Sequence, residues 1–484
     1  MSDGRAEPNC HHDGRSRSEI SRCCREYLDE TPALDRLAAN GTHFANAYTT
    51  CPICVPARAS FATGQHVHET ACWDNAQAYD GSIPGWAQYL RDAGRSVEAI
   101  GKMHYRREED PLGYDRQHEP MHIMDGIGMV WGAIRDPFPK LDRPFRLIKE
   151  TGVGVSNYNL YDRRIANRTS EWLKERAGME GGPWALYVGF AAPHPPFIVP
   201  REYLDRYPLD KVALPKAYAK PGTPHYPWVK AQDDFIALDG FFKDDEERRL
   251  AFASYLGLLS LIDAQIGFIL DTLEESGLAS ETRVLYTSDH GDASGARGLW
   301  GKFNFYEELA KVPMTLSGPG VPQRHACETP VALVDCHATI LDGLGVARAA
   351  DDPATESRSL FELATLPDNP ERGAFGQYHA FASPTGGFML RKGRYKYHYY
   401  VGYPPELFDL VVDPEELHDL APDPAHRKTL DKMEALLRAR IDPEDVDRQV
   451  KEAQVALIER HGGRDKARNA GAPGTTPVPG YAQE

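Results

Sequence analysis

Cysteine is scarce in this chain, with 8 among 484 residues. At that density a disulfide scaffold is excluded. Cys23–Cys24 and Cys51/Cys54 have no second pair at a spacing that closes a zinc site. Positive charge is in deficit too. Lys and Arg number 55 against 71 Asp and Glu, a formal net charge of −16. That balance argues against a nucleic-acid groove, yet leaves room for a small anion in a local basic pocket. No run approaches the roughly 18 apolar residues of a membrane span. The first residues carry no apolar core of the kind a secretory leader needs. These absences lead us to expect no nucleic-acid partner, no membrane partner and a cytoplasmic location.

Periodicity is also missing from residues 1–26, which show neither helical nor strand spacing. From Tyr27 onward the pattern becomes that of a globular chain long enough for a large core and more than one lobe. Thr31 to Gly41 reads as a short helix, with Thr31 as cap, Pro32 in the first turn and Gly41 as stop. Ser82 to Gly94 reads as an amphipathic helix, followed by a strand over Ser96–Ile100. Residues 105–160 look irregular, a long insertion able to shape a pocket. A helix over Arg164–Ala177 precedes a buried strand, Pro183–Phe190, and Glu246–Gly277 is a long helix. Strands are expected at Arg283–Thr287, Val312–Leu316 and Thr329–Val334, then a helix from Asp335 to Leu344. Beyond about residue 370, Gly386–Tyr400 alternates like an antiparallel hairpin. A charged helix follows from Pro424 to Ile441, and the Gly- and Pro-rich tail after His461 is expected to be flexible or wrapped on a partner subunit.

One stretch organises the rest: Cys51-Pro-Ile-Cys-Val-Pro-Ala-Arg-Ala-Ser-Phe-Ala-Thr-Gly64. Cys54, Pro56 and Arg58 form a C-x-P-x-R pattern closed by Thr63-Gly64. A turn with two buried thiols is the bland reading. The pattern resembles the signature of the sulfatases, formylglycine-dependent enzymes of the alkaline phosphatase superfamily. Cys51 does not fit, because Ile53 stands where the proline should be. The resemblance covers roughly residues 27–460. It implies an α/β fold: an alkaline-phosphatase-like α/β/α sandwich with a mixed central sheet over 27–370. A small antiparallel C-terminal subdomain would occupy 371–460, and a flexible tail 461–484.

The resemblance also implies chemistry. Cys54 would be oxidised to formylglycine by a formylglycine-generating or equivalent maturation enzyme, and its hydrate would attack the sulfur of a small sulfated substrate. Arg58, on one helical turn with Cys54, would hold the hydrate, as would His104 in Gly101-Lys-Met-His104. Lys102 and Lys302, the latter in Leu-Trp-Gly-Lys-Phe, would contact the sulfuryl oxygens. His194, in Pro-His-Pro-Pro, would be the acid for the leaving oxygen. Asn75 would contact the anion. Asp289 and His290, at a strand's end, would be metal ligands. Ca²⁺ is the expected ion, with Mn²⁺ or Mg²⁺ as alternatives. Singly, each Lys is ordinarily a solvated charge and each His a structural one; together, and in family order, they form a site.

Sulfatases open with an apolar strand ending in Asp-Asp or Asp-Gln that binds the metal, and no such strand is legible here. Residues 10–16 can be encoded so that reading one base later gives Ala-Ile-Met-Met-Ala-Asp and then a codon compatible with Gln. The same shift over Ser21–Arg25 can give Leu-Gly-Ala-Ala-Gly. The hypothesis is a compensated frameshift that has replaced the first strand; an unshifted frame on resequencing the gene would sink it. An inactive chain that lacks half its metal ligands is accordingly one alternative function. A phosphonate monoester or phosphodiester hydrolase is another. Within the family, the motifs look closest to choline-sulfatase-like enzymes. Trp73, Trp131 and the tyrosines of 395–403 are candidates for an aromatic cage, against the reading that they are packing. A homo-oligomer is compatible with all of this.

Overall fold

The structure is a computed structural model that describes residues 31–139, 148–179, 181–218, 225–348, 352–472 and 475–480. The expectations for residues 1–26, the replaced strand included, lie outside the described residues.

The central sheet is mixed and comes in two blocks. In the first, Arg116–Met121, Ser96–Lys102 and Trp184–Gly189 run parallel in that spatial order. In the second, the order is His325–Cys327, Gly41–Phe44, Met314–Ser317 and Val284–Thr287. Its first pair is parallel and the other two are antiparallel. Helices Pro32–Ala39, Asn157–Ala177 and Asp245–Glu275 pack together on one side. Helices Cys54–Thr63, Trp86–Asp92 and Asp335–Gly343 pack together as the other layer. This is the expected α/β/α sandwich.

The long helix Asp245–Glu275 is the spine of the core. By length and composition alone it could cross a membrane, but most of its apolar window is buried inside the protein. Its Asp244 side chain accepts from the backbone N–H groups of Glu246 and Glu247, an N-cap of the ordinary kind. The helix Pro32–Ala39 is capped differently from the sequence expectation. Thr31 makes no side-chain cap bond. The amides of Ala33 and Leu34 instead donate to the carboxylate of Asp263, at 3.2 and 3.0 Å. A distant acid on the spine thus satisfies the first turn and ties the two helices together.

The described residues of 105–160 are more regular than their composition suggests. Among them are the strands Arg116–Met121 and Thr151–Val153, the 3₁₀ turns Met124–Gly126 and Val130–Ala133, and the start of helix Asn157–Ala177. The helix begins seven residues before its apolar pattern becomes legible because Ser156 and Asn159 exchange capping bonds.

The C-terminal sheet is fully antiparallel, in the order Ala374–Tyr378, Gly387–Lys392, Tyr395–Tyr400 and Glu406–Asp409. It shares one apolar cluster with catalytic-domain residues such as Tyr48, Phe305 and Tyr306. Lys396 lies inside this contact and pairs with Glu307 and Glu416, each at 2.9 Å. The helices Arg427–Arg440 and Pro443–Arg460 follow. The segment after His461, expected to be flexible, packs back on the catalytic domain in its described residues. Trp131 Nε1 donates to Ala472 O, Ala472 N to Gly128 O, and Tyr158 OH to Thr476 O.

Candidate active site

Cys54 is the first residue of the helix Cys54–Thr63, which puts Arg58 one turn further along it. The Cys54 side chain therefore sits at the positive end of the helix. The Val55 amide donates to Asn75 Oδ1 at 3.3 Å, so Asn75 caps this helix while lining the cavity in front of it. The Cys54 Sγ lies 3.1 Å from His290 Nε2 and 3.1 Å from Lys302 Nζ. Lys302 Nζ is also 3.3 Å from His290 Nε2. Burial pushes the Cys54 thiol up, but Lys302, Lys102 and His290 together hold it well below the usual thiol range. The surroundings are built to stabilise negative charge at the atom attached to this Cβ.

Arg58 lines the same cavity, with its guanidinium held by three groups of the protein. Its Nε donates to Asp289 Oδ2 at 2.7 Å. Its Nη1 donates to the Lys102 carbonyl at 2.8 Å and to the Tyr187 hydroxyl at 2.7 Å. Burial pushes the Asp289 carboxyl up, and the Arg58 guanidinium, with His290 beside it, more than reverses this, leaving it well below the carboxylate range. The Asp289 carbonyl accepts from the Thr49 hydroxyl. The sharp turn after strand Val284–Thr287 is thus fixed from both sides.

Both catalytic-candidate histidines with a visible partner have an assigned tautomer. His290 Nδ1 donates to Gly291 O at 2.7 Å, which turns Nε2 toward Cys54. His194 Nδ1 donates to Pro195 O, also at 2.7 Å. Burial, with Lys302 and Lys102 nearby, holds His194 well below the usual imidazole range, so it rests neutral. The His194 loop is held by Asp162, whose two carboxylate oxygens accept from Ala191 N and Ala192 N at 2.7 and 2.8 Å. Tyr158 places its ring edge-on against the His194 imidazole at 5.5 Å.

Lys102 and His104 come from the end of strand Ser96–Lys102. Gly101 has φ +95°, and a Cβ there would meet Gly189 O at 2.3 Å, so the turn into the site requires glycine. His104 has φ +55°, a strained conformation for a residue with a Cβ. Both of its ring nitrogens are buried without a hydrogen-bond partner. Burial and Lys102 lower its pKa to about 3. Phe303, directly after Lys302, is likewise held at φ +110°.

All of the candidates read from the sequence therefore converge: Cys54, Arg58, Asn75, Lys102, His104, His194, Asp289, His290 and Lys302 line one cavity of about 1280 Å³. Tyr187, Asp162, Tyr158 and Thr49 were not legible as participants. Tyr187 sits in an apolar strand and reads as core. Asp162 and Tyr158 lie in the stretch whose helical start is concealed.

The sulfatase family model matches residues 17–346. This chain is a member of the sulfatase family. A choline-sulfatase of Rhizobium meliloti (strain 1021) is 33% identical over 438 residues, covering 87% of this chain and 84% of that protein. Arylsulfatase K of Danio rerio is 27% identical over 458 residues, covering 87% and 81%. Among solved structures, the phosphonate monoester hydrolase SpPMH from Silicibacter pomeroyi superposes with a TM-score of 0.68 at 22% identity, covering 87% of this chain and 93% of that one. The 2-O GAG sulfatase BT1596 superposes with a TM-score of 0.62 at 22% identity, covering 93% of each. At such identities the superpositions speak for the fold, and the sequence relatives for hydrolysis of a sulfuric ester.

In this sulfatase the donor set for a metal is partial among the described residues. Cys54, Asp289 and His290 offer ligand atoms within 4.8 Å of one another. The His290 tautomer suits a ligand, but Asp289 Oδ2 is engaged by Arg58. A hard cation takes about six to eight oxygens, and the described residues do not supply a coordination sphere.

The candidate cage aromatics are not at the sulfatase site, in keeping with their reading as packing. Trp73 packs edge-on against His379, Trp131 against Phe381, and Tyr400 stacks on Trp228 in the C-terminal core. Their apolar surface is used in packing, and none of them lines the cavity. Phe190, Phe303 and Phe381 do.

Proposed function

We propose that this protein hydrolyses a small sulfate monoester with Cys54, converted to formylglycine, as the source of its nucleophile. The observation that supports this best is the placing of Lys302 and His290 side by side on the Cys54 Sγ, each 3.1 Å from it and 3.3 Å from one another. The unpartnered, buried ring nitrogens of His104 add to it, since a second hydroxyl on the same carbon would give them a partner.

The hydrated aldehyde would supply a hydroxyl that attacks sulfur and a carbon–oxygen bond through which sulfate can leave. The chain's own residues do the rest. Lys102 and Lys302 bind the sulfuryl oxygens and neutralise the charge that gathers on them. Arg58 holds the turn carrying Asp289 and fixes the Lys102 carbonyl. His104 accepts a hydrogen bond from, or takes a proton from, the hydroxyl that does not attack. His194 Nε2 delivers a proton to the leaving oxygen once the bound anion has raised its proton affinity. The balance is one ester and one water in, one alcohol and one hydrogen sulfate out. Asp289 and His290 are two residues able to hold a divalent cation, Ca²⁺ in the first instance, which would supply Lewis-acid stabilisation; no step above passes through it.

Intact mass of the tryptic peptide containing Cys54 tests the reading. The expected species has CH₂SH replaced by CHO, together with turnover of an aryl sulfate well above that of a phenyl phosphonate. An unmodified thiol in an active preparation would overturn it. A higher rate on the phosphonate would favour the phosphonate hydrolase reading. Modified Cys54 with neither bound metal nor turnover would favour an inactive chain.

A further inference from the structure

Phe303 follows Lys302 and has φ +110°, a backbone conformation that glycine adopts readily and a bulky residue adopts only under strain. Its carbonyl accepts from Gln232 Nε2 at 2.9 Å, and Gln232 is itself buried on the helix Pro227–Ile236. On the other side of Lys302, Gly301 has φ +78°, and a Cβ there would meet the Phe303 ring at 3.2 Å. The ring is thus folded back over the turn that carries Lys302. Strain of this kind persists where the surroundings enforce it, and it gathers at ligand clamps.

The strained backbone delivers an aromatic ring to the cavity in front of Cys54. Phe303 lines that cavity and is only half-buried. Its ring meets Phe381 edge-on, with centroids 5.6 Å apart. Phe381 lines the cavity as well and is backed by Trp131 and Phe235, at 4.9 and 5.5 Å. Phe190, half-buried, lies four residues before His194 and also lines the cavity. One ring therefore adjoins a sulfuryl-binding lysine, and another adjoins the loop of the acid. No carboxylate stands free beside them. Among the described residues the carboxylates of this cavity are Glu281, Asp289 and Asp292. Asp289 is taken by Arg58, and Asp292 accepts from the amide and hydroxyl of Ser294. Glu281 precedes strand Val284–Thr287, at the end remote from Asp289.

We propose that Phe303, with Phe190 and Phe381, is a specificity-determining residue that selects sulfate esters whose leaving group is uncharged and apolar. The inference rests on the reading of the site as one for a sulfate ester and adds which ester it takes. Burial of an apolar leaving group against these rings removes it from water and leaves no polar atom without a partner. A quaternary ammonium group could also lie on a phenyl face. It would, however, bring a second positive charge toward Arg58, Lys102 and Lys302, with no free carboxylate to offset it. The ring of Phe303 thereby sorts substrates by the part of the molecule that the charged cluster does not touch.

Calorimetric binding of three sulfonates to the full chain tests this without turnover, because their carbon–sulfur bond is not hydrolysed. Methanesulfonate carries the anion alone. 3,3-Dimethylbutanesulfonate adds an apolar group, and trimethyltaurine is its isostere with a quaternary nitrogen. The dimethylbutyl compound is expected to bind at least roughly tenfold more tightly than either of the others, the scale of burying two or three methyl groups. Phe303→Gly suits the backbone at φ +110° and deletes the ring. It should lower the ratio of dimethylbutyl to methyl affinity by roughly fivefold or more. Equal binding of the methyl and dimethylbutyl compounds overturns the inference, as does tighter binding of trimethyltaurine. A ratio unchanged in Phe303→Gly also overturns the role given to this residue. The wild-type comparison decides the leaving-group class even should the variant fail to fold. Failure of all three sulfonates to bind, methanesulfonate included, sinks the sulfate-ester reading and the inference with it. Binding of methanesulfonate with no gain from the apolar group sinks the inference alone.

Discussion

Arg58 Nε donates to Asp289 Oδ2 at 2.7 Å, joining the nucleophile helix to the end of strand Val284–Thr287 with both side chains almost wholly inside. A buried pair is more sensitive to the loss of one member than to the loss of both, because the remaining charge is left uncompensated. Arg58→Ala is therefore expected to lower the unfolding free energy by about 3 kcal/mol and to abolish turnover. Arg58→Lys keeps the charge but cannot reach Asp289, the Lys102 carbonyl and the Tyr187 hydroxyl together. It should retain more stability than activity, which urea unfolding and kcat measured on one preparation will show.

In the proposed reaction His194 protonates the leaving oxygen, so its loss should depend on the substrate. His194→Asn is expected to lower kcat by about 10²–10⁴-fold for an alkyl sulfate and far less for a nitrophenyl sulfate, whose leaving group needs no proton. A uniform loss across leaving groups would remove the acid role.

Lys302 touches the Cys54 Sγ through its ammonium group alone, with no carboxylate partner among the described residues. Lys302→Met should weaken competitive inhibition by inorganic sulfate by roughly 10-fold or more, the scale of one lost charge-assisted bond. Unchanged inhibition would place the sulfate elsewhere.

The pH dependence of stability has an identifiable source in the C-terminal sheet. Burial pushes Glu406 from its ordinary 4.5 up to about 7, although Tyr306 and Tyr400 donate to it. Between those values the folded protein holds a proton that the unfolded chain has released. Stability from this group is greatest below pH 4.5, falls as pH rises through the window, and levels off above 7. Glu406→Gln should flatten the difference in unfolding free energy between pH 5 and pH 8 by on the order of 1–3 kcal/mol. Urea melts at the two pH values measure it.

The site was largely legible before the fold was. Cys54 and Arg58 sit on one helix, so their relation follows from spacing alone, and Lys102, His194 and Asp289 each end a strand whose apolar run is visible in the sequence. Asp162 was not legible, because its two bonds to Ala191 and Ala192 N–H are made across the sheet by a carboxylate that reads as helix surface. Asp263 is the same case, capping a helix more than two hundred residues away. The aromatic residues misled for the opposite reason. Trp131 and Tyr400 carry a polar handle suited to a binding site, yet their rings are consumed by Phe381 and Trp228. Composition cannot separate the two uses.

Tyr158 donates to the Thr476 carbonyl while its ring lies against His194. Thr475 and Thr476 line the same cavity as Cys54. More than three hundred residues of chain thus close before that wall is complete, and contacts of such sequence separation form late because the loop entropy is lost first. An early folding intermediate can hold Cys54 and Arg58 in place on their helix and still have no finished pocket. Turnover in a refolding experiment should consequently lag behind the recovery of helical signal and report the last step of assembly.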